Sequence, residues 1–210
     1  MLTIFPDHAA KHTAMTQPPS STSLSPGPLV LIVMIVVAAL TRLPQFLPNF
    51  SPIEAVALFG GAYFANRWLA MVVPLVTIFL SDVALALLHG GVFRIYFTAY
   101  LPQLLAVYTC VAVSTALGFG LRGRVNGARL MGYALTGSVL FFVATNFVVW
   151  LTAASIPQYT ACNVGLLPCY VAAIPFFKWT LLSTLFYSAL LFGGFSLLRL
   201  RVPALRAQTV

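Results

Sequence analysis

The sequence predicts an all-α membrane protein, a bundle of six transmembrane helices, and three observations lead there. Of the 210 residues, 60% are hydrophobic and 7% are charged, and the mean hydropathy is +0.98. So few charges cannot solvate the surface of a globular protein of this size, which places the chain in a lipid bilayer. The apolar runs do not alternate with polar residues, which argues against a transmembrane β-barrel. Six such runs follow one another.

Composition shifts divide the chain into a tail, a membrane domain and a second tail. Residues 1–27 are rich in Pro, Ser and Thr, so we expect a disordered N-terminal tail. Residues 28–200 form the predicted six-helix domain, and residues 201–210 form a short basic C-terminal tail. The predicted helices cover about residues 29–43, 52–66, 68–88, 95–119, 130–151 and 174–198.

Basic residues orient these six segments. One side of the membrane would hold seven of them and the other only three, and cytoplasmic loops carry the excess of Lys and Arg. Both termini are therefore predicted to be cytoplasmic. The net charge of +8 is a topology signal of this kind, so nucleic acid is not an expected partner. The cytoplasmic set is Arg67, Arg122, Arg124, Arg129, Arg199, Arg201 and Arg206, and the outer set is Arg42, Arg94 and Lys178.

The second segment carries a helix-start signal and a stripe of small residues. Ser51 can cap a helix, Pro52 suits the first helical position, and Glu54 stands where a capping-box carboxylate reaches back. Small residues recur at i, i+4 and i+8, a spacing that lets another helix backbone approach closely inside a bilayer. These predicted packing residues are Ala57, Gly61 and Ala65.

Polar residues gather in the halves of the helices that are predicted to face outward. Asp82 lies about 14 residues from the cytoplasmic start of the third helix, hence about 21 Å along it. A carboxylate at that depth is costly, so it either pairs with Arg42, Arg94 or Lys178 or faces a ligand cavity. The outward clustering favours a ligand site. The candidate ligand-binding residues are Asn49, Glu54, Asp82, His89, Arg94, Tyr100, Asn146, Trp150, Lys178 and Trp179.

Two cysteines lie in the predicted outer loop. Cys162 and Cys169 are separated by six residues where oxidation is permitted, so a structural disulfide is the first interpretation. A redox role is the alternative, although the Cys-x-x-Cys pair that it would favour is absent. The sequence contains no hydrolase, zinc-protease or nucleotide-binding motif, so we expect no enzyme activity and no metal site. His89 is the only histidine of the predicted bundle, which excludes bis-histidine haem, and no cofactor is expected.

Several strings in order resemble a family of bacterial membrane proteins described as transport proteins. That family is similar to the S components of energy-coupling-factor (ECF) vitamin transporters, which have six helices and bind a vitamin in an outward cavity. The chain departs from it in the sixth helix, where Trp179 and Thr184 stand in place of an Asn and an Asp. The strings are Asn49-Phe50-Ser51-Pro52, Ala57-Leu58-Phe59-Gly60-Gly61-Ala62-Tyr63-Phe64, Pro74 with Leu80-Ser81-Asp82, Thr145-Asn146-Phe147-Val148-Val149-Trp150, Gly165-Leu166, Cys169-Tyr170 and Ile174-Pro175-Phe176-Phe177.

The resemblance implies a substrate-binding subunit of the bacterial inner membrane. Its ligand would be a small molecule such as a vitamin or cofactor precursor, cobalamin among them. Its partners would be the lipid bilayer, a transmembrane coupling protein and ATPases. Two other classes stay open on the sequence alone, namely a thiol-disulfide redox protein that uses Cys162 and Cys169 and a membrane assembly factor without a ligand.

Overall fold

Eight α-helices and two 3-10 turns occur among the residues that the computed structural model describes, which are 26–44, 47–88, 100–155 and 159–209. His89, Arg94 and most of the N-terminal tail fall outside these ranges. The 3-10 turns, Phe119–Leu121 and Ala153–Ser155, follow α4 and α5. The helices are α1 (Pro26–Leu40), α2 (Ile53–Tyr63), α3 (Arg67–Leu88), α4 (Leu101–Gly118), α5 (Gly127–Thr152), α6 (Thr160–Val164), α7 (Leu166–Arg201) and α8 (Pro203–Gln208).

Four of the described helices are long and apolar enough to cross a membrane, namely α3, α4, α5 and α7. The prediction of a helical membrane protein is confirmed at this level. The helices α1 and α2 are apolar but shorter. With 11 residues, α2 is about 16 Å long, roughly half of a bilayer's hydrocarbon thickness. The predicted second segment, about residues 52–66, is therefore shorter in the structure, where α2 covers Ile53–Tyr63.

The short helix α2 lies at the centre of the bundle. All of its residues are buried, and it packs against α1, α3, α4, α5 and α7. A helix that buries every side is stable only where other elements surround it. Aromatic side chains fill the space between α2 and α7, with Phe59 and Phe192 in an edge-to-face contact at 5.4 Å between ring centroids.

Small residues bring α2 and α4 into backbone contact. A Cβ atom at Gly61 would overlap the carbonyl oxygen of Thr115 and lie 2.9 Å from the Gly118 Cα. Ala57 is fully buried on the same helix. The third predicted packing residue, Ala65, is wrong: the backbone becomes extended at Phe64, α2 ends, and Ala65 is exposed.

Three arginines from separate segments meet at one end of the bundle, which we call the basic end. Arg122 donates from Nε to the Gly61 carbonyl at 2.9 Å and from Nη2 to the Phe64 carbonyl at 2.8 Å. It thereby satisfies carbonyl groups that the end of α2 leaves unpaired. Burial and the neighbouring charge of Arg67 lower the pKa of Arg122. The guanidinium of Arg199 lies 5.8 Å from the Tyr63 ring.

The sixth predicted helix is longer in the structure than the sequence suggests. We expected it to begin near residue 174, but α7 begins at Leu166. Pro168 belongs to its first turn, where the missing N–H would be unpaired anyway. Pro175 lies inside the helix, which membrane helices tolerate. The predicted basic tail also folds, since α8 contacts α1 and Leu205 is buried.

Candidate functional site

Asp82 is a buried acid with a complete set of partners. Its Oδ1 atom accepts a hydrogen bond from the Nη2 atom of Arg42 at 2.8 Å, within an ion pair. Its Oδ2 atom accepts one from the Tyr108 hydroxyl at 2.7 Å, and Arg42 also donates to Ser81. Arg42 is one of the three cations that the sequence offered as partners. The Arg42 side chain turns inward to this carboxylate and is 12% exposed.

Glu54 is equally buried but has fewer partners. The Ser114 hydroxyl on α4 donates to its Oε2 atom at 2.6 Å. Its Oε1 atom has no hydrogen-bond partner among the described residues. Both acids are 2% exposed, so the difference between them lies in the groups that they meet.

The predicted capping box at the start of α2 does not form. The cap position is Pro52 rather than Ser51, and no side chain caps the helix. This register puts Glu54 at the second helical position, one short of the position from which a carboxylate reaches back. Pro52 also has no backbone N–H that could donate to the carboxylate. Glu54 bonds to α4 instead, and the Ser51 hydroxyl has no partner in the described part of the chain.

Helix α5 also packs closely against the Glu54 carboxyl group. A Cβ atom at Gly137 would lie 2.8 Å from the Glu54 Oε2 atom and 3.5 Å from the Ser114 hydroxyl oxygen. Only a glycine lets α5 come so close to this carboxyl group. The next residue, Ser138, is fully buried, and its hydroxyl lacks a partner among the residues described.

A cavity of about 80 Å³ lies between α5, α7 and the segment that precedes α2. Asn49 reaches it from a left-handed backbone conformation, φ 60°, which Asn tolerates better than most residues. The side-chain amide of Asn146 donates to the Phe142 carbonyl at 2.8 Å. The lining has polar and aromatic groups and no charged side chain: Asn49, Phe141, Phe142, Thr145, Asn146, Ala173, Phe176, Phe177 and Thr180.

The cavity and Glu54 occupy different levels of the bundle. Asn146 follows Gly137 by nine positions on α5, which corresponds to about 14 Å along the helix. The start of α5 lies about 15 Å in the other direction from Gly137, towards the basic end. Glu54 is therefore near the middle of the bundle, and the cavity is at the end opposite the basic end, which we call the cavity end.

The structure separates the residues that the sequence grouped as one ligand site. Asn49 and Asn146 line the cavity, whereas Asp82 and Glu54 form separate centres. Lys178 is exposed, with its Nζ atom 5.2 Å from the centre of the Trp179 ring. Neither Tyr100 nor Trp150 lines the cavity.

Thr180 and the phenylalanines of the cavity are absent from the sequence-based site. Ala173, Phe176 or Phe177, and Thr180 recur at i, i+3 or i+4, and i+7, the pattern of one helical face. That spacing is the signal that could have identified them. The sequence-based site leaves these residues out because apolar residues on a membrane helix are expected to face lipid.

The disulfide between Cys162 and Cys169 is present in the structure. Both residues are buried and pack with Trp150 and Tyr159. Burial raises the pKa of Tyr159, and Tyr100 adds to the effect, so this phenol is uncharged at neutral pH. A buried disulfide is poorly placed for attack by a thiolate of a redox partner. The described residues contain no group of three or more metal-ligating acids, cysteines or histidines.

The fold and these centres define a helical membrane protein with a polar interior. The chain belongs to a family of unknown function, DUF6580, whose family model matches residues 22–205. No curated protein and no solved structure matches the chain.

Proposed function

We propose that this protein binds a small molecule in the cavity between α5 and α7 and takes part in its transport across a bacterial inner membrane, without catalysing a reaction. The cavity itself carries the proposal. Concave sites with aromatic walls and a few converging polar groups are typical of small-molecule binding. Packing alone does not require three polar side chains, Asn49, Asn146 and Thr180, from three parts of the chain to border one space.

The lining indicates the chemistry of the ligand. It offers amide and hydroxyl groups beside four phenylalanines, and none of its side chains is charged. Such a site suits an uncharged molecule with an apolar or aromatic body and a polar edge. A volume of about 80 Å³ is far below the several hundred Å³ that enclose a drug-sized ligand. It favours a compact molecule, or one part of a larger one, over a whole cobalamin.

The proposal also covers the orientation of the protein in the membrane and its source of energy. We place both termini in the cytoplasm and the cavity at the outer side, with α1 and α2 joining the four long helices to complete six crossings. The meeting of Arg67, Arg122 and Arg199 at the basic end supports this sidedness, since the positive-inside rule assigns them to one side. As in ECF systems, energy would come from a coupling protein and ATPases, because this chain has no nucleotide-binding motif.

Mass spectrometry of molecules released from the purified full-length protein tests the cavity. The wild type should release a retained compound after denaturation. Asn146→Ala and Thr180→Val should lose most of it, because each removes a polar group from the wall. Asn163→Ala is the matched control, since Asn163 is exposed on α6 and does not line the cavity. Equal retention by all four proteins would contradict the cavity assignment.

Reporter fusions test the sidedness. Fusions after Gly127 and after Val210 should both report the cytoplasm, and a fusion after Asn163 should report the outside. The reason is that the basic end and the cavity end lie at opposite ends of α5 and α7. If the fusions after Gly127 and Asn163 report the same side, the assignment of the cavity to the outer surface is wrong.

A further inference from the structure

Glu54 stands apart from the cavity and from the ion pair, and neither explains why an acid lies there. It lies in the first turn of α2, is 2% exposed, and meets α4 through Ser114 and α5 through Gly137. Ionisable residues inside a membrane bundle are costly, and they often mark proton relays. We propose that Glu54 is the proton-binding site of the transport cycle, which holds a proton in the closed bundle described here and releases it when the bundle opens.

The surroundings of Glu54 provide no countercharge in the described part of the chain. No residue of α1 is ionisable. Asp82 of α3 is already paired with Arg42 and bonded to Tyr108 of α4. Cys110 of α4 lies within electrostatic range of Glu54, but its thiol cannot supply a positive charge. The remaining groups on the helices around α2 lie at the basic end, are exposed or bond elsewhere: Arg67, Arg129, Tyr133, Tyr170, Lys178, Tyr187, Arg199 and Arg201.

A carboxylate without a countercharge is strongly disfavoured in a low-dielectric interior. The carboxyl group therefore either takes up a proton or binds a small cation. A metal cation would need several oxygen ligands around it. Around the Oε1 atom the described residues place no hydrogen-bonding partner at all, and Ser114 is bonded to the other oxygen. A proton needs no ligand beyond the carboxylate itself, so the geometry points to a proton.

In the protonated group one carboxyl oxygen carries the proton and the other accepts the hydrogen bond. With the proton on Oε1, the Oε2 atom is the carbonyl oxygen, which accepts the hydrogen bond from Ser114 at 2.6 Å. On opening, the proton passes from Oε1 to a water molecule and leaves a carboxylate. That carboxylate lies in the first turn of α2, where the helix dipole favours negative charge. The position of Glu54 is thus compatible with both the protonated carboxyl group and the carboxylate.

Infrared spectroscopy of the purified full-length protein tests the site directly. The whole chain has three acidic side chains, so a protonated carboxyl group is easy to assign. At neutral pH the wild type should show a carboxylic C=O stretching band that is absent in Glu54→Gln and present in Asp7→Asn. In Ser114→Ala the band should remain but move to higher frequency, because the carbonyl oxygen loses its hydrogen bond. In D2O it should move to lower frequency, which shows that the proton exchanges.

Three outcomes would overturn the proposal. They are absence of the band from the wild type, survival of the band in Glu54→Gln, and loss of the band on addition of sodium, which would indicate a metal cation. If Glu54→Gln fails to fold, the band and its displacement in Ser114→Ala decide the question. The use of the proton rests on the proposed transport function, but the measurement involves no substrate. A failure of the cavity assignment therefore leaves the infrared result unchanged, and the reverse is also true.

Discussion

The two buried acids of this protein have the same exposure and opposite surroundings. Asp82 and Glu54 are both 2% exposed, yet Asp82 has an arginine, a tyrosine and through that arginine a link to Ser81. Among the described residues Glu54 has one serine as a partner, and its Oε1 atom has none. Because a membrane interior cannot solvate charge, the partner set decides the charge state. Asp82 belongs to a charged pair that joins two parts of the chain, and Glu54 is the acid that can change its protonation.

The largest expected difference between the two centres is in stability. Asp82→Asn removes the charge but leaves Arg42 buried without its partner, so it should lower the free energy of unfolding by about 3–5 kcal/mol. Glu54→Gln replaces a neutral acid with a neutral amide of the same shape and should cost less than about 1.5 kcal/mol. Unfolding of both variants in mixed detergent micelles measures the two free energies. The double variant Arg42→Gln, Asp82→Asn should recover much of the loss.

The same preparations test a ligand role for Asp82. Equal losses in the two single variants would contradict the distinction between the acids. If Asp82→Asn keeps its stability but loses the retained compound, Asp82 contributes to the ligand site after all. If it is unstable and still retains the compound, its role is confined to the ion pair.

Composition and periodicity predict the helical membrane fold, but not the early end of α2 at Tyr63. The apolar run after Pro52 continues as far as Ala65, so hydropathy alone extends the helix to that residue. The helix ends earlier because Arg122, some 60 residues later, binds the carbonyl groups of Gly61 and Phe64. A contact of that range leaves no local signal at the helix end.

The residues of the candidate site were also predictable only in part. Asn49 and Asn146 stand out because amides are rare in apolar segments, and both line the cavity. The partner of Asp82 was among the expected cations, but charge alone could not select Arg42. The single-residue shift of the α2 cap from Ser51 to Pro52 released Glu54 from its expected local role, and the sequence cannot show that the hydroxyl of Ser114 would replace it.

A smaller effect sharpens the contrast around Glu54. Ser114→Ala removes the one hydrogen bond that the described residues give this acid, and the loss should be about 1 kcal/mol if the group is protonated, since neutral hydrogen bonds contribute that much. A bond to an ionised carboxylate contributes about 1.5–3 kcal/mol, so a loss in that range would indicate a charged Glu54.

The matched control is Ser138→Ala, which deletes a hydroxyl that is equally buried but without a described partner. That variant should be neutral or slightly more stable, because it removes an unsatisfied polar group. Parallel unfolding of the two alanine variants isolates the bond to Glu54 from the general cost of deleting a buried hydroxyl.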